Sequence, residues 1–124
     1  MIDFQNKAVF KLTKTNPDNV TKEISPLLVS GENIISAYSS FRDYVVFTNK
    51  RIIAVNVQGM TGKKKDFTSL PYSKVQVFSI ETAGMLDMDS ELELYFSGLG
   101  RVKFEISGSN DISEIGKLIS DFVL

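Results

Sequence analysis

Residues 91–106 read ELELYFSGLGRVKFEI, with hydrophobic and polar residues alternating through both halves of the stretch. Successive side chains of a β-strand point to opposite faces, so each half predicts a strand that is buried on one face only. The central Ser-Gly-Leu-Gly at residues 97–100 supplies the glycines that a tight turn requires. The stretch therefore predicts a β-hairpin that covers a hydrophobic core.

The same two-residue period extends towards the N-terminus as far as residue 33, with many β-branched and aromatic residues. A second tight turn is predicted at residues 48–51, Thr-Asn-Lys-Arg, because Asn tolerates the positive φ angle of such turns. Seven antiparallel strands follow from this pattern, at residues 33–41, 43–48, 51–58, 65–71, 75–82, 91–96 and 101–106.

Residues 110–124 return to the helical period. One apolar stripe is formed there by Ile112, Ile115, Leu118, Ile119 and Phe122. Such a stripe must be buried against another element, so the helix is predicted to cap an open end of a barrel formed by residues 31–106. Gly116 lies inside this helix, where glycine is unfavourable, and it predicts a close approach between helix and sheet.

The N-terminal residues 1–30 are predicted to be helical. Residues 2–14 place apolar side chains on one side of a helix and Lys7, Lys11 and Lys14 on the other. A second helix is predicted to begin after Asn16-Pro17-Asp18 and to be kinked or restarted at Pro26.

Composition excludes several function classes. The chain has 124 residues, the size of one domain, and it contains neither Cys nor His. Thiolate nucleophiles, imidazole acid–base catalysis and most transition-metal sites are therefore absent. Asp87 and Asp89 lack the glycine and distal glutamate of a calcium-binding EF-hand loop and are interpreted as turn residues. We expect no enzyme activity, no catalytic residue, no cofactor and no metal.

Net charge and hydropathy give further expectations about partners and location. The net charge is −1 and the isoelectric point about 5.4, whereas nucleic-acid-binding domains are usually basic, so no nucleic acid partner is expected. No apolar run approaches the ~20 residues that span a bilayer, and the N-terminus does not resemble a signal peptide. A cytoplasmic location is the expectation.

Seven short stretches within residues 31–106 together form a recognisable pattern. They are Gly31-Glu32, Arg42-Asp43, FTNKRII at 47–53, Gln58-Gly59, Gly62-Lys63-Lys64, Leu70-Pro71-Tyr72 and SIETAG at 79–84. In these stretches the chain resembles the bacterial PH-like (pleckstrin-homology-like) domains. The resemblance implies a seven-stranded antiparallel barrel capped by a C-terminal helix, in a family whose members are small and non-enzymatic, and some of which form homo-oligomeric rings.

Two surface sites are candidates. The apolar side chains of Met85, Leu86 and Met88 lie in a predicted loop without an evident internal partner, which indicates either an oligomer interface or a cap on the barrel. The candidate anion-binding residues are Arg42, Lys63, Lys64 and Lys65. The glycine-rich stretch 59–65 lacks the spacing and the helix of a phosphate-binding loop, so ordinary turn glycines and solvated lysines remain the alternative.

The leading hypothesis is an interaction or scaffold module that self-associates into a homo-oligomer, with a closed ring as one form and an unidentified protein as a further partner. The alternative is weak binding to anionic membranes through the lysine face of residues 7–14 and the 63–65 loop.

Overall fold

The computed structural model describes residues 1–5, 10–86, 88–108 and 112–124. Within these ranges the chain forms eight strands and two α-helices. In chain order they are β1 (Phe10–Thr15), α1 (Asp18–Ile24), β2 (Ile34–Ser39), β3 (Tyr44–Thr48), β4 (Arg51–Gln58), β5 (Lys64–Pro71), β6 (Val75–Glu81), β7 (Asp89–Phe96), β8 (Gly100–Ser107) and α2 (Ile112–Val123). A short 3-10 turn, Tyr72–Lys74, joins β5 to β6.

All eight strands belong to one curled sheet in the order β5-β4-β3-β2-β1-β8-β7-β6. The predicted mainly β fold with a C-terminal helix is confirmed, and the seven predicted strands all occur within about two residues of their expected bounds. Both predicted tight turns are present, one between β3 and β4 and one between β7 and β8.

The prediction of a helix over residues 2–14 is wrong. Residues 10–15 form β1, which pairs antiparallel with β2 and parallel with β8, so the sheet has eight strands and is mixed rather than wholly antiparallel. Leu12 is fully buried between the exposed Lys11 and Thr13, which is the two-residue period of a strand. Hydrogen bonds to β2 on one side and β8 on the other stabilise this strand. The predicted lysine face does not form, because Lys11 and Lys14 are three residues apart on a strand and therefore point to opposite faces of the sheet. Lys7, the third lysine of that face, lies outside the described residues.

The second predicted helix is confirmed as α1. It ends at Ile24, and a single 3-10 turn over Ser25–Leu27 contains Pro26. The chain therefore breaks at the proline as expected, and the restarted turn is short because proline removes one backbone donor and 3-10 turns seldom extend.

Two hydrophobic clusters lie on the two faces of the sheet. The larger fills the barrel with side chains from all eight strands, from α2 and from Ile2 near the N-terminus. The smaller lies under α1, where Val20 and Ile24 pack on the outer face of β2, β3 and β4. Strand β3 borders both clusters, which explains why its sequence, YVVFT, is buried at all five positions.

Helix α2 packs against β6, β7 and the Tyr72–Lys74 turn. Ile112, Ile115 and Ile119 are buried in the barrel cluster, and Phe122 stacks on Tyr72 with ring centroids 5.9 Å apart. A Cβ atom at Gly116 would overlap the Cδ1 atom of Ile80 on β6. The close approach predicted for Gly116 is confirmed.

The first five residues form an arm that crosses from β5 to the β7–β8 turn. Ile2 is buried, and its amide donates a hydrogen bond to the Thr68 hydroxyl at 3.1 Å. The Gln5 side-chain amide donates to the backbone carbonyls of Leu99 and Arg101, at 3.0 and 2.8 Å. The arm thus connects two parts of the sheet that are far apart in strand order.

A double-mutant cycle tests the Gly116 contact. Ala favours a helix over Gly by about 1 kcal/mol, but in Gly116→Ala the new methyl group meets Ile80. In an Ile80→Val background the Cδ1 atom is gone, so Gly116→Ala should be more favourable there than in the unmodified protein by about 1 kcal/mol, measured by urea unfolding. Ser113→Ala, on the exposed face of α2, should have the same effect in both backgrounds. Additive effects of the Gly116 and Ile80 changes would contradict the packing described.

Candidate interaction surfaces

The β3–β4 turn, which carries much of the sequence resemblance, is held by a buried ion pair. The Arg51 guanidinium donates two hydrogen bonds of 2.9 Å to the carboxylate of Glu32, whose side chain is fully buried. The Thr48 hydroxyl lies 2.7 Å from the same carboxylate, and it accepts from the amides of Lys50 and Arg51. Each of the polar atoms named here therefore has a hydrogen-bond partner within the protein.

The hydrogen bonds around Glu32 also determine its ionisation. Burial alone would raise the pKa of Glu32, but the hydrogen bonds from Arg51, Thr48 and the Val29 amide outweigh it and hold the pKa below the ordinary value of 4.5. Tyr72 also stabilises the turn, because its hydroxyl donates a hydrogen bond of 2.8 Å to the Thr48 carbonyl. These contacts give Glu32, Thr48, Arg51 and Tyr72 a structural role in the turn.

The predicted anion-binding residues are only partly brought together. Arg42, in the β2–β3 turn, donates to the carbonyl of Gly59 in the β4–β5 turn, so the two turns are adjacent. Lys65 forms an ion pair with Glu23 of α1 and is already neutralised. Lys63 and Lys64 are exposed, and no ion pair of either is found among the described residues.

The same two turns expose apolar side chains that the sequence analysis did not select. Phe41 and Met60 have 98% and 103% of their surface exposed, next to Arg42 and close in sequence to Lys63. Phe41 and Met60 could have been predicted from the sequence, because each is a large apolar residue within a polar turn. The same criterion selected Met85, Leu86 and Met88.

The predicted interface residues lie on the β6–β7 loop and point into solvent. Met85, Leu86 and Met88 are 97%, 102% and 65% exposed. They do not pack onto the barrel end, so the alternative that they cap the barrel is wrong. Asp87, between them, lies outside the described residues.

A groove that the sequence did not predict lies where the chain passes from β5 into β6. Its volume is 560 Å³, within the range of ~300–1,000 Å³ that is typical of ligand-sized pockets. Its lining is mixed. The apolar residues are the buried Leu70, Val75 and Phe96 and the more exposed Met1, Pro71 and Leu99, and the polar residues are Thr68, Ser69, Ser73, Lys74, Gln76 and Ser97.

The acidic residues of β7 form cross-strand pairs, as expected for solvent-facing strand charges. Glu93 lies 3.3 Å from Arg101 and Glu91 lies 3.5 Å from Lys103. In the described part of the chain no three acidic side chains gather as metal ligands, and no helix there has the length and apolarity to cross a bilayer.

Comparison with known proteins gives consistent results. The family model of the bacterial PH domain matches residues 3–123. The Bacillus subtilis protein YjqA is 42% identical over 103 residues, which are 82% of each chain, and YozO of the same organism is 37% identical over 99 residues, 80% of this chain and 85% of YozO.

Two crystal structures extend the likeness to three dimensions. A protein with a pleckstrin-homology domain from Shewanella loihica is 39% identical, with a TM-score of 0.80 over 93% of this chain and 99% of the other. A pleckstrin-homology domain from Shewanella amazonensis is 36% identical, with a TM-score of 0.67 over 97% and 94% of the two chains.

The buried ion pair predicts a large cost for Glu32→Gln. Removing the charge leaves the Arg51 guanidinium without its counter-ion, and breaking a buried pair in this way costs about 3–5 kcal/mol in the free energy of unfolding. Glu93→Gln, which breaks a surface pair, should cost about 1 kcal/mol or less. Urea unfolding at neutral pH measures both.

The same variant has a pH signature. The pKa of Glu32 is lower in the folded state, so its contribution to stability is complete above about 4.5 and is lost as the pH falls through the folded value. The stability difference between the unmodified protein and Glu32→Gln should therefore shrink in acid. A difference that stays constant down to pH 3 would show that the charge of Glu32 is not what stabilises the turn.

Proposed function

We propose, from the premise that this chain belongs to the bacterial PH domain family, that it is a non-enzymatic interaction module that self-associates into a homo-oligomer. A closed ring is the form that a head-to-tail contact would produce. The single observation that carries the proposal is the exposed apolar loop formed by Met85, Leu86 and Met88, which we call the β6–β7 loop patch.

The loop patch is unusual for a surface without a partner. Single exposed apolar residues are common, but here three of them fall within the four positions 85–88, and such a concentration is a feature of interaction sites. Methionine is flexible and polarisable, which suits it to adaptable contacts. The loop extends from β6 and β7, which fix its base.

The edges of the sheet add to this argument. Strands β5 and β6 occupy the two edges, and exposed edges tend to pair with another chain unless they are blocked. On β6, Val77 is more than half exposed beside its cross-strand neighbour Tyr95. Val77 and Tyr95 are thus a second exposed apolar pair on the edge strand, separated from the loop patch by the exposed Ser79 and Glu81.

The experiment is a mass measurement in solution. We expect light scattering to show an oligomer at micromolar concentration. Leu86→Lys combined with Met88→Lys should lower the mass without changing the circular dichroism spectrum, because burying a lysine at an interface costs several kcal/mol while these side chains contribute little to the fold.

Phe41→Lys combined with Met60→Lys is the matched control, since these two side chains are equally exposed but lie on other turns. This control should leave the mass unchanged. A monomer for the unmodified protein would refute self-association, and an equal loss of mass in the control would refute the assignment to the loop patch.

A second candidate function, weak binding to anionic membranes, is favoured by the turns that carry Phe41 and Met60. Two fully exposed apolar side chains next to Lys63 and Lys64 could enter the lipid headgroup region while the lysines face anionic lipids. Each such lysine contributes about 1 kcal/mol, so two give only weak attraction.

Vesicle sedimentation tests this candidate. Binding to phosphatidylcholine vesicles that contain phosphatidylserine should be weak, should decrease as salt is raised and should be insensitive to the phosphorylation of inositol lipids. Phe41→Ser with Met60→Ser should reduce it, whereas Met85→Ser with Leu86→Ser, equally exposed on another loop, should not. Selective binding to one phosphoinositide at physiological salt would contradict this diffuse mode.

A further inference from the structure

All the sulfur atoms of this chain lie on its surface. Cys and Met are the side chains that peroxides oxidise stepwise, and the chain contains no Cys and four Met. Met1, Met60, Met85 and Met88 have 86%, 103%, 97% and 65% of their surface exposed. Methionine is among the residues most often buried, so this distribution is unusual.

Two of the four methionines lie in the β6–β7 loop patch, on either side of Leu86. We propose that Met85 and Met88 form an oxidation site, at which hydrogen peroxide converts both thioethers to sulfoxides and so weakens the contact between copies while the fold stays intact. The effect on assembly rests on the proposed self-association.

The reaction needs only the peroxide and an accessible sulfur atom. A sulfur lone pair attacks one oxygen of the peroxide, and the O–O bond breaks. The departing hydroxide takes the proton from the transferred oxygen and leaves as water, so the sulfur loses two electrons and the peroxide gains them. A thiol-dependent methionine sulfoxide reductase reverses the change, because two thiols become a disulfide and the oxygen leaves as water.

Oxidation changes the polarity of the loop patch. A sulfoxide is polar and accepts hydrogen bonds, whereas a thioether is apolar. Water hydrates the new oxygen while the loop is exposed, but burying that oxygen in an apolar contact without a donor is unfavourable. Each sulfoxide should therefore weaken association about tenfold.

The fold itself does not depend on these two side chains. Met85 and Met88 belong to neither hydrophobic cluster, and most of their surface faces solvent. An added oxygen atom therefore breaks no packing contact of the core. The oxidised protein should keep its circular dichroism spectrum and its midpoint of urea unfolding.

Assembly and oxidation oppose each other, because the coupling between two such events is reciprocal. A contact that covers the two loop thioethers also protects them from peroxide. Met85 and Met88 should therefore react more slowly as the protein concentration rises. Met60, fully exposed on the β4–β5 turn, should react at the same rate at every concentration and is the internal control.

Peroxide treatment at low and high protein concentration tests the inference. Tandem mass spectrometry measures the oxygen gained at each methionine, and light scattering measures the oligomer. In dilute protein Met85 should react about as fast as Met60, and in concentrated protein it should react several-fold more slowly. Oxidation should lower the oligomeric mass, and sulfoxide reductases of both stereospecificities with a thiol should restore it.

Leucine variants identify the methionines responsible. The association constant of each variant is measured before and after peroxide, so its starting affinity does not enter the comparison. Met85→Leu combined with Met88→Leu should show no change on treatment, and each single variant should show about a tenfold loss. Met60→Leu, the matched control, should lose as much association as the unmodified protein.

The outcomes separate this inference from the proposed function. An oligomer that persists after complete oxidation of Met85 and Met88 would overturn the inference and leave self-association intact. Equal oxidation rates in the dilute protein and the oligomer would do the same, as would loss of association by the double variant in peroxide. A protein that is monomeric before treatment would contradict the proposed function and this inference together.

Discussion

The fold of this protein depends on the gap between the two edge strands of its sheet, β5 and β6, which we call the seam. Eight strands form one curled sheet, and its two edge strands, β5 and β6, follow one another in the chain but lie at opposite ends of the strand order. Exposed strand edges are unstable unless they are covered. The N-terminal arm crosses part of the seam through Ile2 and Gln5, and α2 packs against β6 from the other side. What these elements leave uncovered is the groove between the end of β5 and the start of β6, so the groove is a consequence of incomplete closure.

The residues that identify the family have a different role from those available for binding. Glu32, Thr48 and Arg51 form a buried network in which a desolvated charge must keep its partner, and Gly116 allows the capping helix to approach β6. Substitution at these positions affects the fold first. Family likeness at such positions therefore supports the fold strongly and carries little information about binding.

The most exposed apolar side chains lie on loops, and the paired strands of the sheet hold those loops in position. Phe41 and Met60 lie on two turns joined by the Arg42–Gly59 hydrogen bond, whereas the β6–β7 loop patch lies on another loop. Each is a short segment between paired strands, where side chains can vary without disturbing the core. With a net charge of −1, the chain as a whole exerts little long-range electrostatic attraction on a charged partner.

The sequence by itself determined the seven strands from residue 34 onwards, α1 and the capping helix, because local periodicity and turn residues report burial directly. For Met85, Leu86 and Met88 it left a cap on the barrel and an exposed interface open, and the structure showed that they are exposed. It did not determine β1, since Phe10 to Thr15 fits a helical period as well as a strand, and the strand exists only because β2 and β8 flank it. The neutralisation of Lys65 by Glu23 and the groove between Leu70 and Phe96 also required the tertiary structure. Both join residues more than twenty positions apart, and no local pattern encodes which distant surfaces the chain brings together.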